Sequence, residues 1–397
     1  MNNDRLILIT NPGSSSRKYA LYRGNNFLCS LHFEFEGEKI IYTLKKADGE
    51  KTKTETELKD LSSVVSSLEK ILMDEKYIGG PAKIDAIVAR VAAPGSYFAK
   101  DHVVDEECLK QLEVAKERAP LHAPVIANEI AHLKKSFSNT MLIAVSDSGF
   151  HQSRPELMQA YAIDTELAEK FDIKRWGYHG LSMGSIVRYM EGQEILPEKA
   201  IICHIGSGSS ITAVYNGKSH DTTMGYTPLE GVMMATRTGS MDVAAALAIK
   251  RELKIKTDDE LEKYLNRKGG LLGVSGQSDD MREIIKLRDE GDKRGSFAHA
   301  LYVYRLQSAI GQMAASLGGV DALVFTATIG ERSDDIRRMV TQKLFYLGLS
   351  LDEEKNSGEM SARHVNIAAS SSKPIYVIRT DESDEMIVRA NLLMNKI

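Results

Sequence analysis

Short apolar runs and longer amphipathic segments alternate along the chain. The apolar runs are rich in β-branched residues, as buried strands are, and read LILIT, IDAIVAR, MLIAVS, KAIICHI, ALVFTA and PIYVI. Between them, residues 56–75 and 296–319 repeat apolar side chains at three- and four-residue steps, and the second segment ends at Gly-Gly. The alternation predicts an α/β protein with mixed β-sheets flanked by helices.

The first apolar run, LILIT, is followed by the segment NPGSSSRKYALY at residues 11–22. Apolar and polar residues alternate again after Lys18, which indicates a partner strand, so the Gly/Ser stretch between the two predicts a hairpin turn. A small turn with many hydroxyls and unpaired backbone N–H groups can cradle an anion. The alternative is an ordinary Gly/Ser turn, and this segment alone does not separate the two.

The same pattern returns in the second half of the chain. The segment HIGSGSSITAVY, residues 204–215, follows AIIC and aligns with residues 11–22 without a gap, so that Gly13 meets Gly206 and Ser16 meets Ser209. The repeat predicts two similar half-molecules that each present an anion-binding hairpin. Two such loops facing one cleft would hold a polyphosphate from both sides.

The length and composition of the chain indicate a two-domain globular protein. We expect an N-terminal domain at residues 1–151 with 384–397, and a C-terminal domain at residues 152–383. A net charge of −4 argues against nucleic acid as a partner. The absence of a membrane-length apolar run and of a signal-type segment predicts a cytoplasmic protein with no membrane partner. The cysteines lie far apart, and we expect buried reduced thiols at Cys29, Cys108 and Cys203.

Polar residues stand where several predicted strands end, which is where open α/β sheets bind ligands. Together with Gly-flanked histidines and arginines in the loops, they supply the cations and carboxylates that phosphoryl transfer requires. Any one of them alone would more often be structural, and only their combination points to this chemistry. The sequence lacks a P-loop signature, the protein-kinase motifs and a G-x-S-x-G nucleophile elbow. The set comprises Arg90, His122, Asp147, His179, His204, Arg237, Asp242, Gly330 and Glu331.

These motifs resemble those of the acetokinase family, the acetate and propionate kinases, in the superfamily of sugar kinases, Hsp70 and actin. The resemblance covers nearly the whole chain and implies two similar α/β domains with a cleft between them. It also implies direct in-line phosphoryl transfer between ATP or ADP and a small carboxylate, with Mg²⁺ or Mn²⁺ as cofactor. The resemblance further implies a homodimer, whose nucleotide site and dimer interface would lie in the C-terminal domain. The matching motifs are, in order, NPGSSSRK, IVARV, APLHAP, VSDSGFHQSRPE, RWGYHG, HIGSGSS, GYTPLEGVMMATRTGSMD, GLLGVSGQSDDMR, FTATIGERS and IRTDE.

The resemblance implies catalytic roles for five residues. Arg90 and Arg237 would hold the substrate carboxylate and the phosphoryl group, for which planar, permanently charged guanidinium groups are suited. His179 would donate a hydrogen bond to the phosphoryl oxygens, and His122 would support that site. Asp147 would help to position Mg²⁺, with the orientation of an arginine as the alternative.

The remaining implied residues bind the metal and the two substrates. Asn11 and Glu382 would position the metal ion. The acyl group would lie among Arg90, Ala92, Leu121, Tyr178 and Pro228. The nucleotide would contact Asn11, Ser14, Ser16, Lys18, His204, Gly206, Ser207, Gly208, Asp280, Met281, Arg282, Gly330 and Glu331.

The chain departs from the family pattern in loops beside this site. Thr328 stands where the family has glycine, and its bulk would narrow the base pocket or change the phosphoryl donor. The principal phosphate-handling residues are retained, so we expect an active enzyme with altered substrate or donor preferences. The contrary hypothesis is a homologue whose sequence has diverged so far that it keeps little activity. Further departures lie at Ala93, Pro94, Met183, Ser207 and Arg332.

The acyl pocket gives a sharper expectation. Ala92 replaces a valine and makes room for about one or two further carbons, each contributing roughly 0.8 kcal/mol when buried. Tyr178 replaces a phenylalanine, and its hydroxyl needs a hydrogen-bond partner. We therefore expect propionate to compete well with acetate.

Three hypotheses for the function follow. The first is a short-chain acyl kinase that uses ATP, and the second is the same enzyme with pyrophosphate as donor. The third is a nucleotide-gated switch without acyl chemistry, against which the retention of His179 and both arginines argues.

Overall fold

The computed structural model describes the chain in four stretches, residues 4–13, 16–79, 84–120 and 123–396. Three residues of the expected site lie outside these stretches: Ser14, Leu121 and His122. The chain divides into two compact units, Met1–Gly149 with Glu382–Ile397 and Phe150–Asp381. The boundaries expected at residues 151 and 384 differ from these by two residues.

The first unit is built on a mixed eight-stranded sheet in the order β5-β4-β3-β2-β1-β6-β8-β7. Its strands are β1 (Leu6–Pro12), β2 (Ser16–Arg23), β3 (Asn26–Glu36), β4 (Lys39–Lys46), β5 (Lys51–Glu55), β6 (Ala86–Val91), β7 (His102–Val103) and β8 (Met141–Ser146). The helices described in this unit are α1 (Val65–Asp74), α2 (Glu106–Arg118), α3 (Ala123–Ser136) and, from the end of the chain, α15 (Glu382–Met394).

The central strands of the first sheet are covered on both faces. Every residue from Leu6 to Thr10 is buried. Leu6 and Leu8 belong to the core formed with α1, α2 and α3. The alternate residues Ile7 and Ile9 point to the opposite face, and α15 packs against β1, β6 and β8. A strand buried on both faces explains the continuous apolar run LILIT.

The second unit has a six-stranded mixed sheet in the order β11-β10-β9-β12-β14-β13. Its strands are β9 (Lys199–Ile205), β10 (Ser209–Tyr215), β11 (Lys218–Thr222), β12 (Ala322–Thr326), β13 (His364–Asn366) and β14 (Ile375–Ile378). Its helices are α4 (Glu156–Gln159), α5 (Thr165–Lys170), α6 (Gly180–Gly192), α7 (Val243–Glu252), α8 (Asp258–Arg267), α9 (Gly270–Ser275), α10 (Met281–Asp289), α11 (Lys293–Leu317), α12 (Ala327–Arg332), α13 (Asp334–Thr341) and α14 (Glu353–Ser357).

Side-chain alternation on β9 shows how the second sheet is covered. Ile201 and Cys203 face a core built with α10, α11 and α13. Ala200 and Ile202 face a second cluster to which α6 contributes Met183 and neighbouring apolar residues. Helix α11 ends at Gly318, whose φ of 64° is the left-handed conformation of a helix C-cap. The Gly-Gly stop read from the sequence is therefore the true end of this helix.

The two sheets share one topology. The strands β3-β2-β1-β6-β8-β7 and β11-β10-β9-β12-β14-β13 match in position and in sequence order. In both sets the five pairings between adjacent strands, taken in this order, are antiparallel, antiparallel, parallel, parallel and antiparallel. β4 and β5 are additions to the first unit. The expected pair of similar α/β domains is confirmed, and the two Gly/Ser segments connect equivalent strand pairs, β1 with β2 and β9 with β10.

The expected thiols are also confirmed. All three cysteines are buried and none forms a disulfide. Burial raises the pKa of the Cys108 thiol to about 11, so it stays protonated at neutral pH.

Candidate active site

Four polar residues gather where β1, β6 and β8 of the first unit end, and we call them the Arg90 cluster: Asn11, Arg90, Asp147 and Glu382. Nη2 of Arg90 lies 2.8 Å from Oδ2 of Asp147, and Nη1 lies 3.3 Å from Oδ1 of Asn11. The Glu382 carboxylate lies 4.0 Å from Arg90. These strands are parallel, so their carboxyl ends meet at one edge of the sheet.

The carboxylates of the Arg90 cluster hold the guanidinium in place. Asp147 is fully buried, whereas the Arg90 side chain keeps 22% of its surface exposed. Burial disfavours the charge of Arg90, but Asp147 and Glu382 outweigh that effect and raise its pKa. The cation therefore stays charged and partly accessible, as a carboxylate or phosphate ligand requires.

Oxygen donors for a metal ion are present in the same cluster. Nδ2 of Asn11 lies 3.5 Å from Oε2 of Glu382, which brings the amide and the carboxylate together. Among the residues that the structure describes, no group of three or more histidines, cysteines or acidic residues forms a metal cage. Mg²⁺ in nucleotide sites keeps several waters and takes only one or two carboxylates besides the phosphates. The donor set therefore fits a nucleotide-bound Mg²⁺ and not a protein-enclosed one.

Lys18 lies across from Asn11 in the β1–β2 register. Both line a pocket of about 280 Å³, together with Glu382. Ser16 is the first residue of β2. The first hairpin thus places the Lys18 ammonium and the Arg90 cluster on the same face of the first sheet.

Two histidines form the centre of the second unit's site. The rings of His179 and His204 are stacked, with centroids 4.0 Å apart. Nδ1 of His179 lies 3.0 Å from Oγ of Ser210, and Nδ1 of His204 lies 2.9 Å from Oγ of Ser182. His179 has a φ of 63°, a left-handed conformation that is uncommon for a residue other than glycine.

The second Gly/Ser turn approaches these groups closely. N–H of Gly206 donates to the carbonyl of Gly208 over 3.1 Å, which closes the turn between β9 and β10. A β-carbon placed on Gly208 would lie 3.2 Å from Nη1 of Arg237 and 3.3 Å from Nε2 of His179. The turn, Arg237 and His179 therefore lie close together, and a side chain at position 208 would require Arg237 or His179 to shift.

A pocket of about 640 Å³ lies beside this turn in the second unit. Asp280 caps α10 and pairs with Arg282, and the hydrogen bonds from Arg282 lower the pKa of the Asp280 carboxyl. Thr328 lines this pocket, and its effect on the width of the base pocket stays a prediction. Its lining includes the expected nucleotide residues Ser207, Asp280, Met281 and Arg282, together with Thr328 and Arg332.

Glu331 does not line this pocket. Its carboxylate accepts N–H groups from Ala327 over 2.9 Å and from Thr380 over 3.2 Å. Nη1 of Arg337 donates to the carbonyls of Gly330 and Glu331, each over 3.0 Å. Glu331 and Arg337 therefore fix the loop that carries Gly330. Arg337 was missed at the sequence level, because nothing local marks a buried arginine that binds carbonyl oxygens.

The described residues of the expected acyl pocket are buried or half-buried. Tyr178 is 1% exposed, and its hydroxyl donates to the carbonyl of Tyr226 over 2.7 Å, which supplies the partner that the sequence required. Pro228 is buried in the second unit. Ala92 is half-buried and directly follows β6 in the first unit.

The duplicated sheet, with a Gly/Ser turn at the same place in each unit, is the fold of the sugar kinase, Hsp70 and actin class. Within that class the chain belongs to the acetokinase family, whose model matches residues 6–389. The family makes the protein a kinase.

Known relatives resemble the chain over its full length. It is 37% identical to an acetate kinase of Clostridium botulinum (strain Kyoto / Type A2), over 96% of this chain and 98% of that protein. The crystal structure of a propionate kinase from Francisella tularensis superimposes with a TM-score of 0.88 at 32% identity, covering 97% of this chain and 98% of that one. The crystal structure of the acetate kinase from Porphyromonas gingivalis superimposes with a TM-score of 0.85 at 31% identity, covering 98% of this chain and 100% of that one.

Across the described residues, none of the helices combines the length and apolar character needed to span a membrane.

Proposed function

We propose that the protein is an acetate kinase that transfers a phosphoryl group reversibly between ATP and acetate or propionate. A carboxylate oxygen attacks the γ-phosphorus, the bond to the bridging oxygen of ADP breaks, and the acyl phosphate and ADP are formed without a net proton change. The observation that carries the proposal is the convergence of His179, Arg237 and the Gly206–Gly208 turn in one unit. Such fixed donors stabilise charge on a phosphoryl group in flight.

Each unit contributes distinct parts of the proposed chemistry. Arg90, oriented by Asp147, is suited to hold a carboxylate or a phosphoryl oxygen, since both match the guanidinium fork. With Nδ1 accepting from the Ser210 hydroxyl, the ring proton lies on Nε2, and His179 donates from there. When bound, Mg²⁺ or Mn²⁺ would be held through Asn11 and Glu382 and would neutralise charge on the nucleotide phosphates.

The pocket beside Thr328 favours ATP over pyrophosphate as the phosphoryl donor. Its volume of about 640 Å³ accommodates a nucleoside, whereas a pyrophosphate-specific enzyme has no need of such a cavity. The buried Tyr178 and the small Ala92 support acceptance of propionate beside acetate.

We also propose a homodimer formed by the second unit. Helix α7 is apolar in sequence, yet it buries none of its ten residues within the chain. An apolar helix that is left uncovered is typical of a surface that pairs with a second copy. Two stretches of the second unit carry several exposed large apolar residues each: Leu157, Ile163, Leu167 and Phe171 in the first, and Met241, Val243, Leu247 and Leu253 in the second.

The test of the reaction is acyl-phosphate formation, trapped as the hydroxamate, from acetate or propionate with Mg²⁺ and either ATP or pyrophosphate. We expect turnover with ATP. His179→Ala should remove nearly all turnover while nucleotide binding persists, and His220→Ala, a half-buried histidine on β11, serves as the matched control. Turnover only with pyrophosphate, or an active His179→Ala enzyme, would contradict the proposal.

The test of the dimer is the mass in solution by light scattering. Leu247→Glu places a charge on α7 and should yield monomers. Phe297→Glu changes an equally apolar residue, 62% exposed on α11, and should leave the dimer intact. A wild-type monomer would refute the dimer and leave the proposed reaction unaffected.

A further inference from the structure

The segment that leads into His179 has an irregular backbone. Residues 173–178 form no helix or strand, although the two aromatic side chains among them are no more than 2% exposed. The backbone groups of this segment therefore need partners other than a helix or a strand ladder. The N–H groups of Trp176 and Gly177 donate to the carbonyl of Gly225 over 3.0 and 3.2 Å.

The carbonyl groups of the same segment are held from one turn of the chain. Arg154 is 3% exposed, and its Nη2 donates to the carbonyl of Arg175 and, over 2.9 Å, to that of Trp176. Its Nε donates to the carbonyl of His151 over 3.0 Å. The His151 ring in turn donates from Nε2 to the carbonyl of Tyr178 over 2.9 Å. Arg154, with His151 beside it, thus holds the segment up to its last residue.

The charge of Arg154 is balanced by backbone oxygens. The nearby carboxylates of Asp221 and Glu230 pair with Arg175 over 3.5 and 3.4 Å. Within the part of the chain that the structure describes, no carboxylate forms an ion pair with Arg154 itself. Burial, followed by the Arg175 charge, lowers the pKa of Arg154 to about 10, so the guanidinium stays charged at neutral pH.

Stability alone gives no reason for an arginine at this position. A buried charge gives up its hydration, and an apolar residue of similar volume would pack there at lower cost. An apolar side chain could not bind the carbonyls of Arg175 and Trp176. What distinguishes the arginine is its set of donors, which fixes two successive peptide groups at once.

The conformation of these peptide groups matters for His179. Its φ of 63° is left-handed, and such a backbone persists only where the surrounding structure determines it. The next residue, Gly180, begins α6, so His179 is fixed on one side by the helix and on the other by the Arg175–Tyr178 segment. A segment that relaxes would let the imidazole turn away from Ser210, to which Nδ1 is bound.

We propose that Arg154 is a positioning residue that holds the Arg175–Tyr178 segment and, through it, the catalytic orientation of His179. The inference rests on the proposed role of His179 as a hydrogen-bond donor to the phosphoryl group. Arg154 acts through the backbone, so its role requires no contact with either substrate.

The first test is the kinetics of Arg154→Met, which removes the charge and the hydrogen bonds but keeps most of the volume. We expect kcat to fall about tenfold, because a displaced donor stabilises the transition state less. The KM for MgATP should change less than about twofold, since the groups that bind the nucleotide are untouched. Arg154→Lys should recover part of kcat, because one ammonium can still bind a carbonyl.

A double-mutant cycle separates positioning from general weakening of the protein. In the His179→Ala background the donor is already absent, so Arg154→Met should lower the residual kcat less than about twofold. A loss of folded enzyme would lower kcat equally in both backgrounds. The matched control is Arg337→Met, which removes another buried arginine, 5% exposed, from backbone carbonyls of the same unit. Its effect on kcat should be the same with and without His179.

A second measurement does not depend on the reaction. In protein labelled at the histidine nitrogens, the NMR resonances of the His179 ring, assigned by their loss in His179→Ala, report its tautomer and its hydrogen bond to Ser210. For the wild type we expect the tautomer protonated at Nε2. In Arg154→Met these resonances should broaden or shift toward a mixture of tautomers, and in Arg337→Met they should not change.

Three results would overturn the inference. They are an unchanged kcat in Arg154→Met, equal losses with and without His179, and unchanged His179 resonances. If Arg154→Met does not fold, Arg154→Lys is measured in the same way, and a wild-type kcat with wild-type resonances there also refutes the inference. A wild type without kinase turnover refutes the proposed function, whereas the resonances still test the hold on His179.

Discussion

The imidazole rings of His179 and His204 stack 4.0 Å apart at an interplanar angle of 20°, and each ring is bound through Nδ1 to a different serine. The stack restrains the plane of His179, whose Nε2 is the donor in the proposed mechanism. Family resemblance assigned His204 to the nucleotide, whereas this geometry also makes it a support for His179.

The two roles of His204 are separable by substitution. His204→Ala removes the ring and should lower kcat about tenfold, because the His179 donor loses its fixed orientation. His204→Phe retains a stacking ring and should recover most of that loss. Steady-state kinetics with varied MgATP check both variants. A raised KM for MgATP in both, with kcat preserved, would instead mean that His204 acts on the nucleotide.

Gly208→Ala should disable the second turn without unfolding the protein. Its methyl group would crowd Arg237 and His179 at 3.2 and 3.3 Å, so those side chains must shift. We expect kcat/KM to fall more than about tenfold, since small displacements of positioned groups are costly to catalysis. The control Gly192→Ala adds a methyl group where nothing lies within 4 Å. Activity and thermal midpoint measured on both variants check this, and an active Gly208→Ala enzyme would show that the turn tolerates the shift.

Thr328→Gly tests whether the departure from the family alters the nucleotide site. The adjoining pocket already measures about 640 Å³ with threonine in place. We therefore expect the KM for MgATP to change less than about twofold, within the range of a lost surface contact. A KM that falls severalfold in the glycine variant would mean that Thr328 obstructs the base. Titration with ADP, monitored by calorimetry, gives the same comparison without turnover.

Ala92→Val should shift the choice between acetate and propionate. The substitution adds two methyl-sized groups to the expected acyl pocket, and a pocket discriminates by roughly 1 to 3 kcal/mol per methylene-sized misfit. The ratio of kcat/KM for propionate to that for acetate should fall at least about fivefold. Competition between the two acids in the hydroxamate assay measures this ratio directly. An unchanged ratio would place the acyl chain elsewhere.

Asp335→Asn should destabilise the protein in a pH-dependent manner. Burial alone would raise the pKa of Asp335, but hydrogen bonds from His299 and Arg288 outweigh burial and hold it well below its usual range. A carboxyl with a depressed folded-state pKa stabilises the fold fully above the unfolded value near about pH 4, and this contribution is lost as the pH falls toward the folded value. We expect a loss of about 2 kcal/mol at pH 7. The difference between variant and wild type should shrink as the pH falls below about 4.

Urea unfolding at several pH values measures this difference. Asp289→Asn is the matched control, because Asp289 accepts from the same Arg288 over 2.9 Å but is 61% exposed. It should cost less than about 1 kcal/mol at every pH. A pH-independent loss in Asp335→Asn would contradict the electrostatic explanation.

The buried strands and the repeat of the two units were within reach of the sequence, because periodicity and repetition are local signals. The run LILIT predicted a buried strand, and the Gly/Ser repeat predicted the equivalence of the β1–β2 hairpin with the β9–β10 hairpin. The start of α1 was less accessible. The Asp60 side chain accepts N–H groups of Ser62 and Ser63, which begins a 3₁₀ turn before the helix proper.

The site residues could be named from motifs, but their roles depend on contacts across the fold. Glu331 stands in a nucleotide motif, yet its carboxylate binds Thr380, nearly fifty positions away. Arg17 on β2 and Glu129 on α3 form a buried ion pair over 3.2 Å, and in the sequence each is a charge at an otherwise inward position of its strand or helix. Neither charge is informative alone, because only the tertiary structure brings them together.

Helix α15 has a consequence for how the protein is made. Residues 382–394 pack on the sheet whose strands were synthesised first, and Glu382 of the Arg90 cluster arrives with them. During synthesis the first unit cannot be completed until residues 382–394 have left the ribosome, whereas the second unit is continuous in sequence and can fold beforehand. A chain that stops at Asp381 would therefore keep every residue of the second unit and leave the first unit without α15.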